Sequence, residues 1–267
     1  MNQNFTRISG TGNTFIFFNN IDLKFTSDKE TRKKMVIDLC QNYDGINSDG
    51  FVFCDPSQTH NFKWDFYNSD SSEAEMCGNA ARCAAIYYYY KIKPEKKIKF
   101  ESRAGLIECE IINIDDLIVK TKMPNIFDQD KIPKVKIDDT IIRGYFVNTG
   151  VPHYVLQAEP DLELAKKIRS AKEFGENGTN VTFIEIDDSD YMHAITYERG
   201  VENFTLACGT GAVAAASFFK HINIEYDGEI YIEMPGGVLS VEFEKNTPYL
   251  TGEVDLQYDF SIYKEDL

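Results

Sequence analysis

Two short segments of the chain share a pattern that suits cysteine for acid–base chemistry. Each has a cysteine followed by glycine and an alanine-rich run, at 76–85 (MCGNAARCAA) and 207–216 (ACGTGAVAAA). In both, alanine stands at the fourth, seventh and eighth positions after the cysteine. A cysteine that begins a helix lies beside unpaired backbone N–H groups and the positive end of the helix dipole, which lower a thiol pKa from about 8.5. We therefore predict that Cys77 and Cys208 are reactive thiols.

The residues after each cysteine favour binding of an anion. Gly78 and Gly209 allow a ligand to approach the backbone amides, and Asn79 and Thr210 add side-chain donors. Such donors stabilise the charge that collects on a carboxylate when the neighbouring α-proton leaves. Inverting a stereocentre without a cofactor requires a base on one face and an acid on the other. Two facing Cys-Gly helix starts therefore predict an amino-acid epimerase or racemase that needs neither a metal nor a cofactor.

The elements that must position these residues occur in duplicate. Alanine-rich patterns predict central, buried helices over 80–90 and 212–220. Amphipathic spacing predicts more exposed helices over 29–41 and 162–169. Alternating or β-branched runs predict strands over 15–19, 107–114, 154–157, 193–197 and 230–233. The chain is thus expected to contain two pseudo-symmetric copies of one α/β unit, with the boundary at Met123-Pro124, where proline interrupts the pattern.

Composition narrows the classes of partner and compartment. With 28 basic and 43 acidic residues, the net charge of −15 repels phosphate backbones and anionic membranes, so neither nucleic acid nor a membrane is an expected partner. No apolar run reaches the length of a signal peptide or a membrane span, and a cytoplasmic protein is expected. Six cysteines without a CxxC pair predict free thiols instead of disulfides or a zinc site.

Several other polar residues have both a structural and a functional interpretation. His153 is either a packed turn residue or a neighbour of the chemistry. Glu198 and Arg199 are either a solvated charge pair at a strand end or part of a substrate site, in which Arg199 is the best local cation for a substrate carboxylate. Asparagine near glycine is often only a turn former, which leaves the same choice for Asn13, Asn68 and Asn180. The structural interpretation, as core residues, holds for Cys40, Cys54, Cys83 and Cys109.

A series of motifs in chain order resembles the diaminopimelate epimerase family. The matching motifs lie at 10–13, 49–50, 68–70, 75–79, 82–83, 148–150, 152–153, 178–181, 198–201 and 207–211. Together with the flanking sequence they extend from residue 10 to about residue 252. The resemblance implies an α/β (α+β) fold of two domains, each a mostly antiparallel or mixed sheet curled around a central helix. The implied domains are 1–122, joined by a returning segment 253–267, and 123–252.

The same resemblance implies PLP-independent interconversion of LL- and meso-diaminopimelate, in lysine and cell-wall synthesis. Cys77 and Cys208 would be the acid and base, with His153 and Glu198 beside them as supporting groups and Glu198 also near the substrate. The residues implied to hold the non-reacting end of the substrate are Asn13, Asn68, Asn180 and Arg199. Those implied to surround the reacting carboxylate are Gly78, Asn79, Gly209 and Thr210.

Three positions depart from the common family pattern, and they keep other substrates open. Thr14 replaces an aspartate, Ala80 replaces a glycine, and Val151 stands where many members have a substrate-binding asparagine. One alternative is a racemase for a different amino acid; the proline racemase and hydroxyproline epimerase family fits less well. The other is a catalytically silent amino-acid-binding protein, which retention of both cysteines disfavours. The expected partner is a small amino acid, and a homodimer is an assembly that the sequence allows.

Overall fold

The computed structural model describes residues 2–22, 28–42, 47–187 and 191–263. The chain divides into two compact units, unit 1 comprising Met1–Thr121 with Gly252–Leu267 and unit 2 comprising Lys122–Thr251. Residues 264–267, the end of the segment predicted to return to the first domain, lie outside the described residues. Within the described ranges, no helix combines the length and apolar character that crossing a membrane requires.

The described part of unit 1 contains seven strands and two α-helices of its own. The strands are β1 (Asn2–Gly10), β2 (Asn13–Asn19), β3 (Gly50–Asp55), β4 (Phe62–Asn68), β5 (Lys97–Ser102), β6 (Gly105–Asn113) and β7 (Ile118–Lys122). The helices are α1 (Lys29–Ile37), followed by a π-helical turn (Asp38–Asn42), and α2 (Gly78–Lys91). The strands neighbour one another in this order; β2–β3 and β4–β5 are parallel pairs, and the other neighbours are antiparallel.

Unit 2 has the strands β8 (Lys134–Ile137), β9 (Thr140–Arg143), β10 (Tyr145–Asn148), β11 (Pro152–Gln157), β12 (Asn180–Ile186), β13 (Tyr191–Glu198), β14 (Asn203–Phe204), β15 (Ile230–Met234) and β16 (Gly237–Glu244). The final strand, β17 (Thr247–Tyr263), starts in unit 2 and ends in unit 1. The helices are α3 (Leu162–Arg169), a 3-10 turn (Lys172–Phe174) and α4 (Gly209–Ile222). The sheet order is β16-β15-β13-β12-β11-β10, with β11–β12 and β13–β15 parallel, while β8 and β9 form a separate hairpin.

Each unit encloses one alanine-rich helix. Helix α2 is buried from Gly78 to Tyr88 and contacts β1, β2 and β6, which come from opposite ends of the strand order. The second part of β17 pairs with β1, from Asn2↔Tyr263 to Gly10↔Val254. Helix α4 likewise contacts β10 to β13, β15 and β16. Small side chains permit this enclosure because the strands can approach the helix axis closely.

The predicted elements are found with modest changes in their bounds. The central helices over 80–90 and 212–220 lie within α2 and α4, and the helix over 162–169 is α3. The helix over 29–41 ends earlier, at Ile37, and continues as the π-helical turn. All five predicted strands are present, in β2, β6, β11, β13 and β15, and the prediction over 107–114 runs one residue past the end of β6. The prediction of an α/β protein with mixed sheets around central helices is confirmed.

Candidate active site

Cys77 is the residue that precedes helix α2 in unit 1. It has extended backbone angles, φ −144° and ψ 124°, and its side chain is half-buried. The Cys77 side chain forms no capping hydrogen bond to α2, so it leaves the first backbone N–H groups of the helix to other acceptors. The predicted position of Cys77 at a helix start is therefore confirmed.

Two predicted substrate-binding asparagines lie together beside this helix start. Asn79 is buried in the first turn of α2, and its Nδ2 donates to Oδ1 of Asn13 at 2.6 Å. Asn13 begins β2 after a turn that packs closely against the helix. A Cβ on Gly10 would lie only 2.9 Å from the Asn79 carbonyl oxygen, so glycine permits this approach. Asn68 ends β4 and is exposed, with its Nδ2 donating to Ser72 Oγ at 2.9 Å. The side-chain amide of Asn79 thus serves an internal contact.

Cys208 occupies the equivalent position before α4 in unit 2, but it is buried. Its Sγ accepts a hydrogen bond from the Gly211 N–H at 3.3 Å and lies 3.3 Å from Thr210 Oγ1. Its own N–H points to the sulfur of Met234 at 3.4 Å. Cys208 therefore caps α4 with its side chain, whereas Cys77 does not cap α2.

The protonation of Cys208 differs from the expectation for a helix start. Burial raises the pKa of the Cys208 thiol well above its usual value, and the Glu198 carboxylate raises it further, against smaller opposing effects of Thr210 and Gly211. The prediction of a lowered pKa is wrong for this cysteine, because loss of solvation outweighs the helix dipole. Burial also raises the pKa of Glu198, which accepts hydrogen bonds from Thr205 and from the Cys208 thiol. Cys208 is thus a protonated thiol that donates to Glu198.

His153, on β11, is fully buried in the same network. Its Nδ1 lies 3.0 Å from Thr182 Oγ1, and its Nε2 lies 3.0 Å from Thr210 Oγ1 and 3.3 Å from Asn180 Nδ2. Burial, assisted by the charge of Arg199, lowers the pKa of His153 to about 3, so the ring is neutral at pH 7. The Arg199 N–H donates to Asn180 Oδ1 at 2.8 Å, which directs the Asn180 amide nitrogen to His153. Nε2 is therefore the acceptor and Nδ1–H the donor to Thr182.

Arg199 follows β13 and is half-buried. One guanidinium nitrogen, Nη1, donates to the Asn177 carbonyl oxygen at 3.4 Å. A guanidinium carries five N–H donors, so further donors are available to a carboxylate. The structure brings the predicted residues of unit 2 into one cluster, which comprises His153, Asn180, Glu198, Arg199, Cys208, Gly209 and Thr210.

Three threonines that the sequence did not single out belong to this cluster. Thr205 Oγ1 donates to Glu198 Oε1 at 2.6 Å. Thr182 contacts His153 and lies 3.1 Å from Thr196, hydroxyl to hydroxyl. Threonine is common in strands, so nothing in its type separates a network member from an ordinary strand residue. The available signal was a polar residue at an inward position of an apolar strand, as at Thr182 in β12.

No group of three or more His, Cys, Asp or Glu side chains in the described part of the chain is arranged to hold a metal ion. Within the described ranges none of the six cysteines is in a disulfide, and Cys40, Cys54, Cys83 and Cys109 are buried, as the structural interpretation predicts. The cluster contains the Cys208 thiol, the Glu198 carboxyl group and oriented hydrogen-bond donors.

Comparison with known proteins identifies the family. The family model described as diaminopimelate epimerase matches residues 5–126 and 145–257. The chain belongs to this family. The diaminopimelate epimerase of Aquifex aeolicus is 34% identical over 98% of the chain and 99% of its own length, and that of Archaeoglobus fulgidus is 34% identical over 96% and 94%. The chain is an isomerase of the diaminopimelate epimerase family, whose members serve lysine biosynthesis.

Solved structures with little sequence similarity share the fold. A phenazine biosynthesis protein of the PhzF family from Enterococcus faecalis superposes with a TM-score of 0.72 at 15% identity, over 98% of this chain and 100% of that one. A hydroxyproline epimerase from Agrobacterium vitis gives 0.69 at 12% identity, over 98% and 91%. The predicted two-domain α/β fold is therefore one that several families use, and it does not by itself define a substrate.

Proposed function

We propose that the protein interconverts LL- and meso-diaminopimelate by a cofactor-independent mechanism with two cysteines as acid and base. The observation that carries the proposal is the matched placement of Cys77 and Cys208, each immediately before the enclosed 14-residue helix of its unit. The relatives at 34% identity, named diaminopimelate epimerase, support this substrate. The two epimerase halves, 1–122 with 253–267 and 123–252, would each supply one thiol.

The proposed reaction moves two protons. The Cys77 thiolate removes the α-proton of the substrate, and the Cys208 thiol donates its proton to the opposite face of the same carbon. After one turnover Cys77 carries the proton and Cys208 is the thiolate, so the reverse reaction uses the opposite roles. The raised pKa of Cys208 beside Glu198 supports its assignment as the acid in the resting enzyme. A protonated donor on one face and a base on the other are what stereochemical inversion requires.

Backbone amides and an arginine are proposed to bind the two ends of the substrate. The N–H groups that begin α2 and α4 would receive the reacting carboxylate and stabilise its charge during proton removal. At the distal end, Arg199 would pair with the second carboxylate, helped by Asn13, Asn68 and Asn180. His153 would hold Thr210, and through it Cys208, in position, since both nitrogens of the neutral ring are engaged.

An amino-acid panel tests the proposal directly. The purified protein is incubated with LL-diaminopimelate, meso-diaminopimelate, L-lysine, L-glutamate, L-proline and trans-4-hydroxy-L-proline, and the stereoisomers are separated by chiral chromatography. We expect interconversion of the two diaminopimelate isomers. We expect no inversion of L-lysine, L-proline or trans-4-hydroxy-L-proline, since each has a single carboxylate and so lacks a partner for Arg199. The matched controls are Cys77→Ser and Cys208→Ser, which keep the side-chain size.

The outcomes of the panel separate substrate from reaction. Inversion of another amino acid, with diaminopimelate untouched, would contradict the substrate and leave the two-thiol mechanism standing. Inversion of diaminopimelate at full rate by either serine variant would contradict the mechanism. Binding of diaminopimelate without any turnover would identify the chain as the silent binding protein.

A further inference from the structure

Arg82 is a buried cation without a carboxylate partner. It lies in the second turn of α2, and its side chain has 0% exposure. Within the described ranges no aspartate or glutamate forms an ion pair with it, and its Nε has no hydrogen-bond partner. A buried charge is costly unless another group compensates it, and arginine does not readily lose its proton. The structure therefore calls for a group that balances this charge.

The contacts of Arg82 orient two predicted substrate-binding amides. One nitrogen, Nη2, donates to Asn79 Oδ1 and to Thr11 Oγ1, both at 2.7 Å. Because a guanidinium only donates, the Asn79 amide must present its oxygen to Arg82 and its nitrogen to Asn13 Oδ1. Asn13 then accepts with its oxygen, and its own Nδ2 is the end that remains for another acceptor. A single arginine thus determines which way both amides face.

The backbone of Thr11, whose hydroxyl accepts the hydrogen bond from Arg82, is strained. Its φ is +50°, in the left-handed region that a β-branched residue rarely adopts. The hydroxyl that meets Arg82 belongs to this strained residue. Strain of this kind persists where surrounding contacts hold the backbone in place.

The charge balance of Arg82 points to Cys77. Arg82 Nη1 donates to the carbonyl oxygen of Gly78, the residue after Cys77, at 3.4 Å, and the thiols whose charge would favour the arginine cation are those of Cys83, Cys77 and Cys109. Burial raises the pKa of Cys83 far above its usual value and that of Cys109 to about 12, so both remain neutral thiols. Cys77 is only half-buried and stands at the positive end of α2. Of the three, Cys77 is the thiol that can carry the compensating negative charge.

We propose that Arg82 is a positioning residue of the Cys77 half of the site, whose charge keeps Cys77 as a thiolate and whose N–H groups fix the Asn79 and Asn13 amides. It acts through these residues and does not itself touch substrate. The inference rests on the proposed function only in giving Cys77 the role of base. On this proposal unit 1 holds a thiolate at Cys77, whereas in unit 2 Glu198 stands beside a protonated Cys208 thiol.

The test measures the ionisation of Cys77 in the full chain without substrate. Iodoacetamide labelling of the Cys77 peptide is followed by mass spectrometry as a function of pH in the wild type, Arg82→Met, Arg82→Lys and Arg32→Met. We expect a wild-type midpoint below about 8.5, raised in Arg82→Met by about one pH unit or more and largely restored in Arg82→Lys. Arg32, a half-buried arginine paired with Asp55 and Asp65 elsewhere in unit 1, is the control for loss of an arginine from this unit, and its variant should keep the wild-type midpoint.

Steady-state kinetics test the orientation of the amides. Lysine keeps the charge, but its side chain is one bond shorter and does not reach as far as Nη2, which bonds Asn79 and Thr11, so Arg82→Lys should raise KM for diaminopimelate more than it lowers kcat. An unchanged KM would overturn the positioning part of the proposal. A wild-type midpoint at or above that of a free thiol would overturn the charge part, even if Arg82→Met fails to fold. A shifted midpoint in a protein that does not turn over diaminopimelate would contradict the proposed function and leave the role of Arg82 intact.

Discussion

At the scale of single residues, Cys208 and Glu198 form an acidic pair in which burial favours the protonated thiol. Both groups lose solvation, and the negative charge of Glu198 opposes formation of a second negative charge on Cys208. Thr205 and the Cys208 thiol satisfy the carboxylate with hydrogen bonds. The electrostatics of unit 2 therefore suit proton donation, whereas a helix start considered alone suggested a thiolate.

Replacing Glu198 should make Cys208 easier to ionise. Glu198→Gln keeps the size of the side chain and removes its charge, so the pH midpoint of Cys208 alkylation should fall by about one pH unit. Glu202→Gln is the matched control, because Glu202 is an exposed carboxylate held by Arg169. Mass spectrometry of the Cys208 peptide reports the midpoint. A midpoint that rises or stays constant in Glu198→Gln would show that Glu198 does not raise the pKa of this thiol.

The neutral His153 should make the fold sensitive to mild acid. Its folded-state pKa is lowered to about 3, while an unfolded histidine titrates near 6.5. Between these values the unfolded state binds the extra proton, so stability is complete above about pH 6.5 and is lost as the pH falls toward 3. Between about pH 7 and about pH 5, the free energy of unfolding should fall by roughly 2 kcal/mol through His153.

Urea denaturation at the two pH values provides the measurement for His153. His153→Gln should lose less stability than the wild type over the same interval, because glutamine does not titrate. His193→Gln is the control, since His193 is exposed and its Nδ1 lies 3.3 Å from Glu233 Oε2. Equal losses in the wild type and His153→Gln would mean that His153 does not titrate differently in the folded state.

At the scale of elements, close packing of α4 against β13 fixes Cys208. A Cβ added at Gly211 would lie 2.3 Å from Thr196 Oγ1 and 3.2 Å from the Cβ of Cys208. The space at this position therefore requires glycine. Its N–H also donates to the Cys208 sulfur. The helix and the strand therefore meet at the position where the thiol is capped.

Gly211→Ala should disturb both the packing and the thiol. We expect the free energy of unfolding to fall by about 1–3 kcal/mol, as for other overpacked sites, together with a loss of turnover. In the double variant Gly211→Ala/Thr196→Ala the clashing hydroxyl is absent, so part of the stability should return; Thr196→Ala alone is the reference. Thermal unfolding of the wild type and the three variants measures these changes in stability. Gly211→Ala as stable as the wild type would refute the steric requirement.

The sequence predicted elements better than it predicted environments. Helices α2 and α4 were predictable because alanine spacing and the Cys-Gly starts are local signals. The early end of the α1 helix and the burial of Cys208 were not, because both depend on tertiary packing. Arg82 illustrates the same limit, since an arginine inside a helix usually lies on the solvent side, and only the enclosing strands make it buried.

At the scale of the whole molecule, the two units share one arrangement of helix and cysteine. Each encloses an alanine-rich helix and places a cysteine before its first residue, while their thiols differ in burial and in neighbouring charge. With a net charge of −15, attraction of a dicarboxylate must come from local donors. Under the proposed function, Arg199 and the backbone N–H groups at the start of α2 would be such donors.

Exchange with solvent at the α-carbon tests the two-thiol mechanism most directly. LL-diaminopimelate is incubated with the protein in D2O, and the mass and stereochemistry of substrate and product are followed from the first turnover. We predict that the meso product carries one deuterium at the inverted carbon, delivered from the exchanged Cys208 thiol, and that Cys77→Ser and Cys208→Ser greatly slow its formation. Inverted product without deuterium, or deuterated product formed at the wild-type rate by either variant, would contradict proton transfer by Cys77 and Cys208.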